Sequence, residues 1–147
     1  RTVTLAQYVR RRNGVPLGAR GSLRNMLTRS LGAASFAGFW RHWNPLFGYY
    51  LHDRCYRPLV RFVPRPAAVV LTFAVSGALH DGVASLATTQ PFVLFTPAFA
   101  LFGLGVVVEE RLGWSLSGAP VWLRAATHAT IVVGTLAGGV VGRSLWL

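Results

Sequence analysis

The chain has 147 residues, of which 52% are hydrophobic and only 13% are charged, and its mean hydropathy is +0.44. This composition excludes a disordered chain and argues against a water-soluble domain, in which about a quarter of the residues would be charged. Every basic residue is an arginine, and residues 1–65 hold twelve of the 15 arginines beside one acid, Asp53. A nucleic-acid-binding arm or a cytoplasmic membrane face would carry such charge. The apolar second half favours the membrane and no nucleic-acid partner.

The first segment, residues 1–34, is an arginine-rich arm that is interrupted by Gly14, Pro16, Gly18 and Gly21. Two short helices are predicted in it, at about 3–12 and 22–33. The arm is expected to be cytoplasmic or interfacial. Two interpretations of it stay open, a surface arm that lies on anionic lipid and a solvated linker.

Residues 35–66 form an aromatic segment that contains the block FWRHWNP. Its large side chains recur every three or four residues and would share one face of a helix: Phe36, Phe39, Trp40, Trp43, Phe47 and Tyr50. Because Trp and Tyr favour the headgroup boundary, the segment predicts a pair of amphipathic interfacial helices. Pro45 cannot continue a helix, so one helix should end near Trp43 and the next begin at Pro45 with Asn44 as its N-cap.

Three apolar segments follow in residues 67–147. They lie at about 67–87, 91–108 and 124–143. Each is close to the ~20 residues that cross a hydrocarbon core of about 30 Å, and residues 109–123 would be an interfacial connector. The sequence therefore predicts an all-α, polytopic membrane protein, with about three transmembrane helices preceded by a basic interfacial helix pair.

Charge and codon usage predict the location of the protein. The basic half should be cytoplasmic, and arginine used in place of lysine is typical of a GC-rich genome, which favours a bacterial plasma (inner) membrane. In the third apolar segment, Gly134, Gly138 and Gly142 form two overlapping G-x-x-x-G motifs. These motifs either allow a second helix to pack closely or reflect the ordinary glycine content of membrane helices.

His80 is the main candidate for chemistry. It lies about 20 Å along the first apolar helix, and ionisable groups inside hydrocarbon are costly and suggest function. Ser76 and Gly77 would leave room beside a neutral ring that can accept a proton from a hydroxyl group. A structural histidine bonded to a neighbouring helix is the equal alternative. Asp81 could cap a break, pair with an arginine or occupy a polar pocket, and His128 predicts a polar interhelical contact.

Three segments resemble the membrane-bound O-acyltransferase (MBOAT) superfamily. They are FWRHWNP at 39–45, YRPL at 56–59 and FAVSGALH at 73–80. The similarity is to the wax-synthase and sterol or glycerolipid acyltransferase branch, and it covers about residues 35–85. That family has an FWRxWN-like block near the cytoplasmic face and a later block, on a transmembrane helix, that ends in its invariant histidine.

The resemblance implies transfer of an acyl group from a thioester, with acyl-CoA as co-substrate and no resident cofactor or metal, to a hydroxyl acceptor. It implies that His80 is the catalytic general base and that Asn44 donates to the oxyanion or orients the acceptor. The implied substrate-binding residues are Trp40, Arg41, Trp43, Arg54, Arg57 and Ser76. The arginines would bind CoA phosphates, with contact to phospholipid headgroups as their alternative role.

The family encloses its tunnel with many more transmembrane helices than three. We therefore expect a C-terminal portion of a larger enzyme, which the absence of Met at position 1 favours, or partner transmembrane chains that complete the tunnel. A non-catalytic MBOAT-like structural subunit is the alternative. A third hypothesis is a haem-b protein that uses two of the four histidines, His42, His52, His80 and His128, and it predicts a Soret band.

Overall fold

The computed structural model describes residues 3–144, and over this range the chain is helical without strands. The helices are α1 (Leu5–Asn13), α2 (Ser22–Leu31), α3 (Phe36–His42), α4 (Pro45–Leu51), α5 (Arg57–Leu59), α6 (Arg65–Thr88), α7 (Phe95–Leu112) and α8 (Val121–Ser144), with a π-helical segment (His52–Tyr56) between α4 and α5. The all-α prediction is therefore confirmed. The outer ends of the predicted arm and of the last domain, 1–2 and 145–147, lie outside the described residues.

The arm contains the two predicted helices, α1 and α2. A capping box starts α1, because the Thr4 hydroxyl accepts from the Gln7 amide at 3.3 Å while the Gln7 side chain accepts from the Thr4 amide at 3.1 Å. Gly14 ends the helix at φ 80°, a left-handed conformation that glycine adopts without strain. Asn13 then donates to the Ser22 hydroxyl at 2.7 Å, which ties α1 to α2.

The predicted helix break in the aromatic block is confirmed. Helix α3 ends at His42 and α4 begins at Pro45. Asn44 is the N-cap between them, in a left-handed conformation with φ 41° and ψ 70°, and its side-chain oxygen accepts from the Phe47 amide at 3.2 Å. Before the break, aromatic side chains of α3 pack with residues of α7 in the buried core: Phe36, Phe39, Phe102 and Val106.

Helices α6 and α7 form the closest pair in the fold. Gly77 of α6 lies against the backbone at the start of α7, and Gly103 of α7 lies against Val70 and Phe73 of α6. Because these glycines carry no Cβ, the two backbones approach more closely than larger residues would permit. Helix α6 runs without a break through Gly82, so the proposed helix interruption near Asp81 is absent.

Helix α8 runs parallel to α6. Near its start, Arg124 donates to the Gly32 carbonyl at 3.3 Å, and at its far end Arg143 donates to the Pro91 carbonyl at 3.3 Å in the loop between α6 and α7. Only 6% of its most apolar 18-residue stretch is buried against the rest of the protein. The predicted G-x-x-x-G glycines have open space beside them, so no helix of the described residues packs on that face: Gly134, Gly138 and Gly142.

Within residues 3–144, two helices, α6 and α8, are long and apolar enough by length and composition to cross a membrane. They contain the predicted spans 67–87 and 124–143. The predicted span 91–108 is not confirmed, because residues 91–94 are not helical and α7 includes the charged residues at 109–111. The predicted connector is also shorter than expected, since α7 continues to Leu112 and α8 begins at Val121.

Candidate functional site

A cleft of about 410 Å³ opens between α1, α3, α4, α6 and α7. Six of the eight predicted site residues line it: His80, Asn44, Trp40, Arg41, Trp43 and Ser76. The two blocks of the sequence therefore meet at one concave surface. The volume lies within the range of about 300–1,000 Å³ typical of small-molecule sites.

The hydrogen bond of His80 fixes which ring nitrogen carries a proton. Its Nδ1 lies 2.7 Å from the Ser76 carbonyl oxygen, one turn earlier in α6. Because a carbonyl oxygen only accepts, Nδ1 donates, and in the neutral ring Nε2 then has an unprotonated lone pair. The ring packs beside Phe99 and Phe95, with centroids at 5.0 and 5.5 Å, yet the residue is exposed at the cleft wall. A neutral ring in this tautomer has, at Nε2, the proton acceptor that a general base needs.

Asn44 is held by the helix that it caps. Its Oδ1 accepts from the Phe47 amide, so the amide nitrogen Nδ2 remains available to donate. The backbone nitrogen donates to the Met26 sulfur at 3.3 Å, which links the cap to α2. The residue lines the same cleft as His80 while capping α4, so capping does not remove it from the site.

A second concave surface, of about 400 Å³, meets the first at three shared residues: Asn44, Phe47 and His80. Its other walls are largely apolar and come from α6 and from the start of α7: Leu79, Val83, Ala84 and Phe95. The first cleft instead has three arginines and one acid among its walls, a net positive charge: Arg12, Arg41, Arg65 and Glu110. His80 and Asn44 therefore stand where a basic surface passes into an apolar one.

Two predicted substrate-binding residues, Arg54 and Arg57, lie outside both clefts. Arg57 donates to Asp53 at 2.7 Å, one helical turn away, and Arg54 lies 3.8 Å from the same carboxylate. Their side chains are 52% and 81% exposed, so these ion pairs contribute little to stability. The structure does not bring either guanidinium to the site.

Sequence reasoning missed Arg12 and Arg65 as cleft residues. Arg12 comes from the arm, and no local pattern distinguishes it from the arginines beside it. Arg65 begins α6, and its Nε donates to the Tyr56 hydroxyl at 3.1 Å. The one signal for Arg65 was its position immediately before an apolar span.

Trp40 forms part of the cleft wall and of the aromatic core. Its ring lies edge-on to Phe73 at 5.4 Å between centroids and tilted against Phe99 at 5.6 Å. The indole N–H is buried and has no hydrogen-bond partner among residues 3–144. The aromatic residues around it hold α3, α6 and α7 together behind the site.

The other histidines occupy different environments. His128 is 1% exposed, stacks beside Phe36 and donates to the Ala33 carbonyl at 3.0 Å, so its polar contact is made with the connection between α2 and α3 and not, as predicted, with another helix. His42 donates to a backbone carbonyl of α1 at 2.9 Å. His52 lines the basic cleft, and burial lowers its pKa, with a smaller contribution from nearby arginine charge.

Comparison of the chain with protein-family models, with curated proteins and with solved structures finds no match. An assignment of function therefore depends on which groups the fold brings together and on their chemistry.

Proposed function

We propose that the protein is a membrane-embedded O-acyltransferase, or the C-terminal catalytic portion of one. It transfers an acyl group from a thioester, acyl-CoA, to a hydroxyl acceptor. One observation carries this proposal: the Nδ1 of His80 is committed to the Ser76 carbonyl, while the ring lies with Asn44 between a basic and an apolar cleft.

The chemistry follows from these groups. Nε2 of His80 accepts the proton of the acceptor hydroxyl as its oxygen attacks the thioester carbonyl. The carbonyl oxygen becomes an oxyanion, to which Nδ2 of Asn44 donates, and one such donor typically contributes about 10²–10³ in rate. Collapse of the intermediate expels the thiolate of CoA, which takes the proton from the imidazolium. The acyl group ends on the acceptor oxygen and the ring returns to its neutral form.

The two clefts suit the two substrates. Arginines at the first cleft match the phosphates of CoA, and the apolar walls of the second match a lipid-soluble alcohol. In this proposal α6 and α8 cross a plasma (inner) membrane, α7 is the third span, and the basic N-terminal half is cytoplasmic. The exposure of α8 leaves room for the further transmembrane chains or preceding helices that would complete a tunnel.

A second candidate is a non-catalytic MBOAT-like subunit of a membrane complex. The open glycine face of α8 favours it, because residues 134–142 present a surface on which another helix can pack. In this case the two blocks would serve as scaffold, with their aromatic residues joining α3, α6 and α7.

The two candidates differ in one assay. The full chain, in nanodiscs, is supplied with acyl-CoA and a long-chain alcohol or glycerolipid, and release of free thiol is measured. His80→Ala should lower the rate by about 10²–10⁴. His42→Gln is the matched control, because His42 also bonds a backbone carbonyl but lies outside the clefts, and it should retain the rate. Full activity of the His80 variant would exclude His80 as the general base, and an inactive wild-type protein would favour the non-catalytic subunit.

A further inference from the structure

Helix α2 carries exposed leucines on the side that faces away from the protein. On its inward side Leu31 packs against the aromatic core, Ser22 and Asn25 exchange hydrogen bonds with Asn13 at 2.7 and 3.1 Å, and Ser30 is fully buried. On the outward side, Leu23 is 66% exposed and Leu27 is 37% exposed. These two leucines lie one helical turn apart. On a helix surface that faces water, polar side chains would normally occupy both positions.

Positive charge surrounds these leucines. Arg20, in the turn before α2, and Arg24, in its first turn, are both exposed and lie on either side of Leu23 in the sequence. Residues 1–52 contain no acid, and within 3–144 the ion pairs that form all use Asp53. The charge of this surface is therefore not neutralised by the protein itself. An anion from outside the chain is the group that would balance it.

We propose that the outward face of α2 (Leu23, Arg24 and Leu27), together with Arg20 in the turn before it, binds the surface of a bilayer that contains anionic phospholipids. The leucines enter the boundary between headgroups and acyl chains, and the two guanidinium groups contact lipid phosphates. Nucleic acid would bind the arginines but leave both leucines in water, whereas a lipid surface accommodates the arginines and the leucines together. This inference does not depend on acyl transfer.

Lipid binding at α2 has a consequence for the site. Arg29 of α2 donates to the Arg12 carbonyl at 3.3 Å, and Asn13 ties the same two helices. Helix α1 in turn contributes Tyr8 and Arg12 to the basic cleft. A membrane that holds α2 would therefore also hold one wall of that cleft in place.

The test places an environment-sensitive fluorophore on α2 of the full chain. Cys55, the only cysteine, is replaced with serine, and Leu27→Cys is labelled and reconstituted into nanodiscs of phosphatidylcholine alone or mixed with phosphatidylglycerol. The proposal predicts a blue-shifted emission and quenching by lipids that carry a shallow spin label, both stronger with phosphatidylglycerol. Identical spectra in the two membranes, with quenching only by water-soluble agents, overturn it.

Charge-matched variants identify the groups responsible. R20Q/R24Q should lower the preference of α2 for membranes with phosphatidylglycerol by about 30-fold, since each arginine near an anionic surface strengthens binding by about a factor of five. R61Q/R111Q removes the same charge from exposed positions outside α2 and should leave the dependence intact. If both pairs of substitutions lower the preference for phosphatidylglycerol equally, the proposal is overturned. It is also overturned if the protein does not respond to phosphatidylglycerol but binds duplex DNA through Arg20 and Arg24. Circular dichroism checks folding, and the comparison of the two membranes needs neither charge variant.

Discussion

Replacing Asp81 with asparagine should loosen the junction of α6 and α7 and, with it, the wall beside His80. The Asp81 carboxylate is only 6% exposed. Its Oδ1 accepts from the amides of Leu94 and Phe95, and its Oδ2 accepts from the Thr96 amide, each at 2.8 Å; Oδ2 also accepts from the Thr96 hydroxyl at 2.6 Å. The carboxylate of one helix thus caps the first turn of the next, where negative charge is favourable.

The magnitude follows from these four bonds. An asparagine keeps one carbonyl oxygen, so its NH₂ group must face either the Thr96 amide or the pair of amides from Leu94 and Phe95. The Thr96 hydroxyl can rotate and accept, but a backbone N–H cannot. At least one buried donor is left unpaired, at about 1–3 kcal/mol, and the remaining bonds lose the extra strength of a charged acceptor. Together these losses amount to about 3–5 kcal/mol of unfolding free energy.

Unfolding of the full chain in detergent, followed by far-ultraviolet circular dichroism, measures this change. Ser85→Ala is the matched control, since Ser85 accepts one neutral bond from the Phe92 amide of the same loop at 2.9 Å and should cost about 1 kcal/mol. Hydrogen exchange should show faster opening of the amides at 94–96 in Asp81→Asn alone. If the two variants lose the same stability, or those amides stay protected, the carboxylate does not hold α7 as argued.

Three further changes test other contacts. Gly77→Ala should destabilise by about 1–3 kcal/mol because a Cβ would overlap the α7 backbone, whereas Gly82→Ala, which meets open space, should stabilise by about 0.5–1 kcal/mol, both measured by thermal unfolding. Glu109→Gln should cost about 1.5–3 kcal/mol in the same assay, since its carboxylate accepts from two amides of α3 at 2.7 and 3.0 Å. Burial lowers the pKa of His52 from 6.5, so protonating its ring costs more in the folded chain than in the unfolded chain. The free energy of unfolding should therefore fall as the pH drops from 6.5 through the lowered pKa, and His52→Gln should flatten the dependence of unfolding free energy on pH in that range.

Local signals in the sequence predicted the helices well. Pro45 cannot continue α3 and Asn44 is a favourable N-cap, so the break between α3 and α4 was predicted to within a residue. The capping box that begins α1 and the glycine that ends it each involve residues no more than four positions apart. The apolar lengths of α6 and α8 were equally readable, because hydrophobic runs need no tertiary information.

Contacts between distant segments could not be predicted in the same way. Three roles for Asp81 stayed open because its partners at 94–96 lie in a loop whose path the sequence does not specify. The start of α7 was placed at residue 91 for the same reason, since its N-terminal cap comes from another helix. The resemblance placed Arg54 and Arg57 in the site, but both guanidinium groups lie within ion-pair distance of Asp53, which is next to Arg54 in the sequence and one turn before Arg57.

The meeting of the two blocks depends on a helix that contains neither of them. Helix α7 gives Glu109 to the first turn of α3 at one end and receives the carboxylate of Asp81 from α6 at the other. Between these two attachments, the ring of Phe99 lies 5.6 Å from Trp40 and 5.0 Å from His80, measured between centroids. Two of the four acids in the chain thus cap helix N-termini, Glu109 that of α3 and Asp81 that of α7, and they do so at opposite ends of α7. These two carboxylates therefore set the distance between the two blocks. The aromatic block and the histidine block are therefore held together by α7, and their separation should change when either cap is neutralised.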